Sequence, residues 1–200
     1  MLPQKRDKVI IHLPIFVMPR YRHSQFADFN CFFITTSIFG KEHLLLEDEV
    51  CKIILKNFTF YNEKYKAKLL AYVLMSNHVH FVIWFEKEEK KESPISVYMR
   101  DFKKYVATQI INYLKENNSK LLHKFVSIQK GQKYQIWEEN FDGVHLYTRK
   151  VCEEKIDYIH NNPVKAELVK YPEDYKYSSA KFYSSDKVLK SSLVDYREYF

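Results

Sequence analysis

The sequence predicts an α+β fold, a split β-α-β sheet with helices on one face, and three observations predict it. Runs rich in β-branched and aromatic residues stand at 29–38, 69–75 and 79–85. After the first and third runs, apolar residues instead recur every three or four positions, the period of a helix. Ser76 and Asn77, both turn formers, separate the second and third runs as in a hairpin.

The elements follow in chain order. Residues 1–25 are basic, hold prolines at positions 3, 14 and 19, and read as an N-terminal arm. Phe29 to Ile38 reads as a strand that Gly40 ends. Glu47 to Tyr65 places Val50, Ile53, Ile54, Phe58 and Tyr61 on one helical face. Leu69–Met75 and Val79–Phe85 are the two strands of the hairpin, and the charged residues Glu86 to Glu92 form a solvated link. Pro94 opens a long helix to Glu116, with Phe102, Val106, Ile110, Tyr113 and Leu114 as its buried stripe. A less regular stretch follows. Thr148 then caps a further helix whose core stripe is Cys152, Ile156 and Ile159, and Pro163 is expected to end it near Asn161 or Asn162. Strand, helix, strand, strand, helix is most of a ferredoxin-like sheet, here with one more helix near the C-terminus.

The 200 residues suit one domain of ordinary size. At 46% apolar, with three Gly and six Pro, the chain can bury a full core and is neither low-complexity nor disordered. Lys and Arg outnumber Asp and Glu by 32 to 25, a net charge of +7. With 16 Tyr and 15 Phe, this basicity suits single-stranded nucleic acid, whose bases stack and whose phosphates pair with cations. Arg100, Lys103 and Lys104 cluster on one face of the long helix, where they could meet phosphates. The three cysteines, Cys31, Cys51 and Cys152, form no C-x-x-C pair, which argues against a disulfide framework or a zinc knuckle. The apolar run Ile10 to Met18 is broken by His12 and Pro14 and has no cleavage site after it, so neither a signal peptide nor a membrane span is expected. The expected compartment is the cytoplasm.

Two constellations can carry chemistry. His78 and His80 open the second hairpin strand, and residues two apart in a strand project from the same face. Two imidazoles side by side are half a metal site and need a third ligand from elsewhere. Tyr158 and Asn162 are four apart and share a helix face if the last turn persists. A tyrosine beside a divalent cation can attack phosphorus, because the metal polarises the phosphoryl oxygen; its phenol, with a pKa of about 10, needs help to lose its proton. Spacing alone does not separate Tyr158 from the other tyrosines, and H-x-H pairs also occur as plain hydrogen-bonded residues.

The segment Ala71-Tyr72-Val73-Leu74-Met75-Ser76-Asn77-His78-Val79-His80 resembles the strand-turn-strand signature of HUH single-tyrosine transposases. Tyr158-Ile159-His160-Asn161-Asn162-Pro163-Val164-Lys165-Ala166-Glu167-Leu168-Val169 resembles their tyrosine-helix signature. Ile136-Trp137, Phe141 and Tyr175-Lys176-Tyr177-Ser178-Ser179 are similar to the branch called REP-associated tyrosine transposases. The resemblance implies a ferredoxin-like catalytic domain over residues 26–185, followed by a tail over 186–200. It implies His78, His80 and Asn162 as ligands of Mg²⁺ or Mn²⁺, and Tyr158 as the nucleophile. The implied reaction cleaves one DNA strand near a hairpin, leaving a 5′-phosphotyrosine that a second 3′-hydroxyl can reseal in DNA transposition or repeat processing. Some relatives share sites within a homodimer and others act alone. Ser76 stands where relatives usually carry Pro, which predicts a looser turn, and Glu167 stands where small residues are common. Two other readings use the same residues: a DNA-binding module that has lost catalysis, and a hydrolase in which His78 and His80 hold Zn²⁺ to activate water.

Overall fold

A computed structural model describes residues 30–86, 93–127, 133–184 and 193–199. The N-terminal arm, all but the first residue of the charged link, and most of the tail lie outside the described residues.

The elements are β1 (Cys31–Ser37), α1 (Asp48–Lys64), β2 (Ala67–Leu74), β3 (His78–Phe85), α2 (Pro94–Glu116), β4 (Asp142–His145), α3 (Arg149–Lys165) and a short α4 (Ala180–Ser184). The strands form one sheet in the order β2-β3-β1-β4. β3 lies antiparallel between β1 and β2, so α1 crosses from β1 to a strand that is not its neighbour. That is the split β-α-β unit, and β4 closes the other edge antiparallel to β1. The expected ferredoxin-like, α+β class is the fold observed.

Both helices of the split unit lie on one face of the sheet. There Phe32 and Ile34 of β1 and Phe81, Ile83 and Phe85 of β3 meet Val50, Ile54 and Phe58 of α1 and Tyr98, Phe102, Val106 and Ile110 of α2, all buried. Alternation along β1 and β3 sends the intervening residues to the opposite face. On that face Cys31, Phe33 and Val82 pack with Cys152, Ile156 and Ile159 of α3. The tyrosine-bearing helix therefore lies on the far face, with Tyr183, Val194, Tyr196 and Tyr199 from the chain after it packed against the same layer. Cys31 and Cys152 meet across this second layer as free thiols, and their contact and burial push the Cys31 thiol well above its usual range.

β2 carries a bulge at Leu70, where the register to β3 steps from Leu69 opposite Ile83 to Ala71 opposite Val82. The extra residue lets Leu69 and Leu74 both reach the α1–α2 layer while Leu70, Ala71 and Val73 reach the α3 layer.

The chain after α3 returns along the β2 edge. Leu74 N–H donates to Tyr177 O (2.9 Å), Ser179 N–H to Tyr72 O (3.0 Å) and Val194 N–H to Leu69 O (3.0 Å). The hydroxyls of Tyr175 and Tyr183 add bonds to Leu74 O (2.9 Å) and Leu70 O (2.6 Å). An edge that would otherwise offer unpaired amides is thereby covered. Among the described residues, no helix is long and apolar enough to cross a membrane.

Candidate active site

The hairpin turn that launches β3 is tied to the segment after β1. Ile38 N–H donates to Asn77 O (2.8 Å), Leu45 N–H to Ser76 O (2.9 Å), and Met75 N–H to His78 O (2.9 Å). The Ser76 hydroxyl lies 2.9 Å from His43 Nδ1, and the Asn77 amide reaches Lys41 O (3.3 Å). Without a proline, the turn is fixed by these bonds.

His78 and His80 project from the face that α3 covers, their ring centroids 4.7 Å apart. Each uses Nδ1 internally. His78 Nδ1 is 2.7 Å from Asn77 Oδ1, an atom that can only accept, so Nδ1 carries the proton and Nε2 the lone pair. His80 Nδ1 is 2.8 Å from the Thr35 hydroxyl, its partner across β1. Burial lowers the pKa of both. For His80 it is pushed down to about 3, mainly by burial and further by the charges of His78 and Lys155. Imidazoles kept neutral by burial and held at Nδ1 by neighbouring groups suit a metal, which would take Nε2.

Tyr158 lies over this pair. Its ring centroid is 5.6 Å from that of His80 and 5.9 Å from that of Phe33, which stacks on His80 at 5.5 Å. The tyrosine stays 39% exposed, so its hydroxyl is open to a substrate. The helix beneath is set by the buried Cys152, Ile156 and Ile159, and by His160 on the side facing the β2 edge. The Ser179 hydroxyl accepts from Tyr72 N–H (2.9 Å), donates to Tyr72 O (3.2 Å) and lies 2.8 Å from His160 Nε2. One serine thus joins the tyrosine helix to the sheet.

α3 does not stop at Asn161 or Asn162, as the proline suggested, but runs through Pro163 to Lys165. Pro163 removes one amide from the ladder, and the helix re-closes beyond it. Leu168 N–H bonds Pro163 O (2.9 Å) and Glu167 N–H bonds Val164 O (3.0 Å), with Glu167 at φ 57°, a Schellman ending. Asn162 therefore sits one turn beyond Tyr158 on a continuous helix. Its amide nitrogen donates to Tyr158 O (2.7 Å), leaving its carbonyl oxygen as the end suited to a cation. Among the described residues, no cluster of three or more His, Cys, Asp or Glu could hold a metal. A cation at this site would rest on the two imidazoles and an amide oxygen, with water or phosphate oxygens completing its shell.

The cations expected to bind DNA lie elsewhere. Arg100, Lys103 and Lys104 are on α2, across the sheet from the histidines. Arg100 Nε is 3.0 Å from Asp101 Oδ1. Lys103 donates to the carbonyls of Glu138 (2.7 Å), Glu139 (3.1 Å) and Asn140 (3.5 Å), where the strand beside β1 is interrupted before β4. That lysine has a structural task. Lys104 is exposed. Two cations beside the tyrosine escaped the sequence reading: Lys155 Nζ is 5.7 Å and Lys165 Nζ 5.2 Å from the centre of the Tyr158 ring. Their spacing, Lys155-Tyr158-Asn162-Lys165, is one helical stripe, visible only once the helix is allowed past the proline. A groove of about 1020 Å³ between α1 and β2 contains none of these residues.

No family model matches the sequence, and no curated protein does. Among solved structures, the chain is similar to a REP-associated tyrosine transposase bound to a REP hairpin, with a TM-score of 0.59 and 19% identity over 82% of this chain and 84% of that one. A candidate transposase from Deinococcus radiodurans R1 gives a TM-score of 0.43 at 13% identity over 70% of this chain and 96% of that one. The motif resemblance and the three-dimensional comparison converge: this chain has the fold of the REP-associated tyrosine transposase.

Proposed function

We propose that this chain cleaves and rejoins single-stranded DNA through Tyr158, in DNA transposition or the processing of repeat hairpins. The observation that carries the reading is the Tyr158 ring 5.6 Å from the ring of His80, within one chain. No second subunit is needed to bring nucleophile and imidazoles together, so the reading has the tyrosine acting on its own chain's site. The solved relative's hairpin makes a hairpin-flanked strand the natural substrate.

In this reading His78, His80 and the Asn162 carbonyl hold Mg²⁺ or Mn²⁺, which when bound supplies polarisation of the scissile phosphoryl group. The remaining steps belong to the protein. The half-exposed phenol reaches the phosphorus from α3. The Oη–P bond forms as the P–O3′ bond breaks; the phenol proton passes to solvent and the departing 3′-oxygen takes one up as a hydroxyl. The product is a 5′-phosphotyrosine, and attack by another 3′-hydroxyl reverses the step with no bond energy lost to water. Thr35 and Asn77 keep the two rings oriented through their Nδ1 atoms. Arg100 and Lys104, on the opposite face, would meet the duplex part of the hairpin.

The test is a trapping assay. Labelled hairpin oligonucleotides from DNA flanking the gene are incubated with Mn²⁺ and resolved on a denaturing gel. A covalent band that carries the label 3′ of the cut, disappears with EDTA and is absent from Tyr158→Phe is the expected result. An adduct persisting in Tyr158→Phe would refute the assignment. A free 5′-phosphate with no adduct would point to water activation, and binding without cleavage to a non-catalytic module.

A further inference from the structure

We infer that Lys155 and Lys165 are the phosphate grips of this site, holding the DNA strand on either side of the scissile link. The inference rests on the single-strand reading above and names the groups that would seat the strand.

Three observations carry it. The first is position. Lys155, Tyr158, Asn162 and Lys165 follow at intervals of three, four and three along a helix that is continuous from Arg149 to Lys165, so the lysines bracket the tyrosine on its own stripe. At 1.5 Å of rise per residue, the ten residues from Lys155 to Lys165 span about 15 Å, with the tyrosine between them. The second is how the ammonium groups are held. Lys155 Nζ lies 5.2 Å from the centre of the Phe33 ring and 5.7 Å from that of Tyr158, and Lys165 Nζ lies 5.2 Å from Tyr158. Aromatic faces orient a cation without neutralising it.

The third is that both charges are left uncompensated, whereas several cations elsewhere on the surface are paired. Arg149 is spent on Glu153, Arg197 on Asp195, Lys176 on Asp48, Lys124 on Glu42 and Lys52 on Asp48 and Glu49. Lys103 is spent on backbone carbonyls. Among the described residues, neither Lys155 nor Lys165 has a carboxylate within ion-pair distance. Two uncompensated charges beside an open phenol and two imidazoles form a local field that only an anion relieves, and the anion that the phenol must approach is a phosphodiester.

The experiment separates this inference from the chemistry. Fluorescein-labelled oligothymidylate is bound to Tyr158→Phe protein in EDTA, and affinity is followed by anisotropy over a range of KCl concentrations. Each phosphate contact on a single strand contributes about 0.7 to the slope of log affinity against log salt. Lys155→Met and Lys165→Met are each expected to lower the slope by about 0.7, while Lys155→Arg, Lys165→Arg and Lys52→Met leave it unchanged. Slopes unchanged in both methionine variants, with folding confirmed by circular dichroism, would overturn the inference. The adduct assay on proteins with Tyr158 intact reports separately on the tyrosine. An adduct with unchanged slopes removes the grips and keeps the nucleophile; reduced slopes with no adduct do the reverse.

Discussion

His160 shows how much a single side chain contributes while standing outside the proposed reaction. It is buried on α3 two residues beyond Tyr158, against Ser179 and the ring of Tyr183 at 5.5 Å. Burial pushes its pKa down to about 4, against about 6.5 in an unfolded chain. Above pH 6.5 the imidazole is neutral in both states and costs nothing. As pH falls below 6.5 the unfolded chain takes up a proton that the fold refuses, so stability drops until about pH 4. The loss is up to about 3 kcal/mol from this residue alone. Urea unfolding in EDTA at pH 7, 5.5 and 4 should show that decline, and His160→Gln, which can still bond Ser179, should flatten part of it. A variant as acid-sensitive as the parent would place the titration elsewhere. Tyr158 makes the complementary case. Tyr158→Phe keeps the ring against Phe33 and His80, so its expected loss is confined to covalent attachment, with stability altered by less than about 1 kcal/mol.

At the scale of elements, what could be read from the sequence depended on where the information lay. α2 was legible at both ends because Pro94 suits a first helical turn and the apolar stripe has the right period. The hairpin and the shared face of His78 and His80 followed from strand alternation. β4 was not legible: Asp142-Gly143-Val144-His145 has no strand signature of its own, and its extended form comes from pairing with β1. Nor was the bulge at Leu70, because Leu69 to Leu74 is apolar on both faces and alternation leaves no trace there. The extent of α3 is masked by Pro163, which reads as a terminator, although its missing amide removes only one bond from a helix that has two more residues to run. The place of Lys165 on the tyrosine's stripe is masked with it. The same helix end offers a test. Glu167 holds φ 57°, a conformation that costs a side-chain-bearing residue about 1 kcal/mol and glycine almost nothing. Glu167→Gly should therefore raise stability by about 0.5–1 kcal/mol in thermal or urea unfolding, with adduct formation unchanged. A loss of stability would mean that the Glu167 side chain contributes more than its backbone costs.

Over the whole molecule, the sheet serves two layers with different duties. The α1–α2 layer is a broad aromatic core that includes Phe58, Phe81, Phe102 and Tyr98. The α3 layer is thinner, and much of what fixes it is polar: His160 to Ser179, Ser179 to both backbone groups of Tyr72, and tyrosine hydroxyls to the β2 edge. Local stability should follow this division. In hydrogen exchange, α3 amides are expected to exchange faster than those of α1 and α2. Ser179→Ala should speed α3 exchange about tenfold, the effect of roughly 1.4 kcal/mol, while leaving α2 near its original rate. Equal acceleration of both helices would show that the layers open together.

The strap along β2 also imposes an order in time. Ser178, Ser179 and Val194 lie C-terminal to every strand and helix they hold, so they leave the ribosome after them. The sheet and its α1–α2 layer are encoded first and can fold while synthesis continues. The tyrosine helix can be clamped in register with the histidines only when the strap arrives. In the proposed reading, a nascent or prematurely terminated chain would carry His78, His80 and Tyr158 yet lack the fastening that makes them one site, so strand cutting would be withheld until translation had passed the strap.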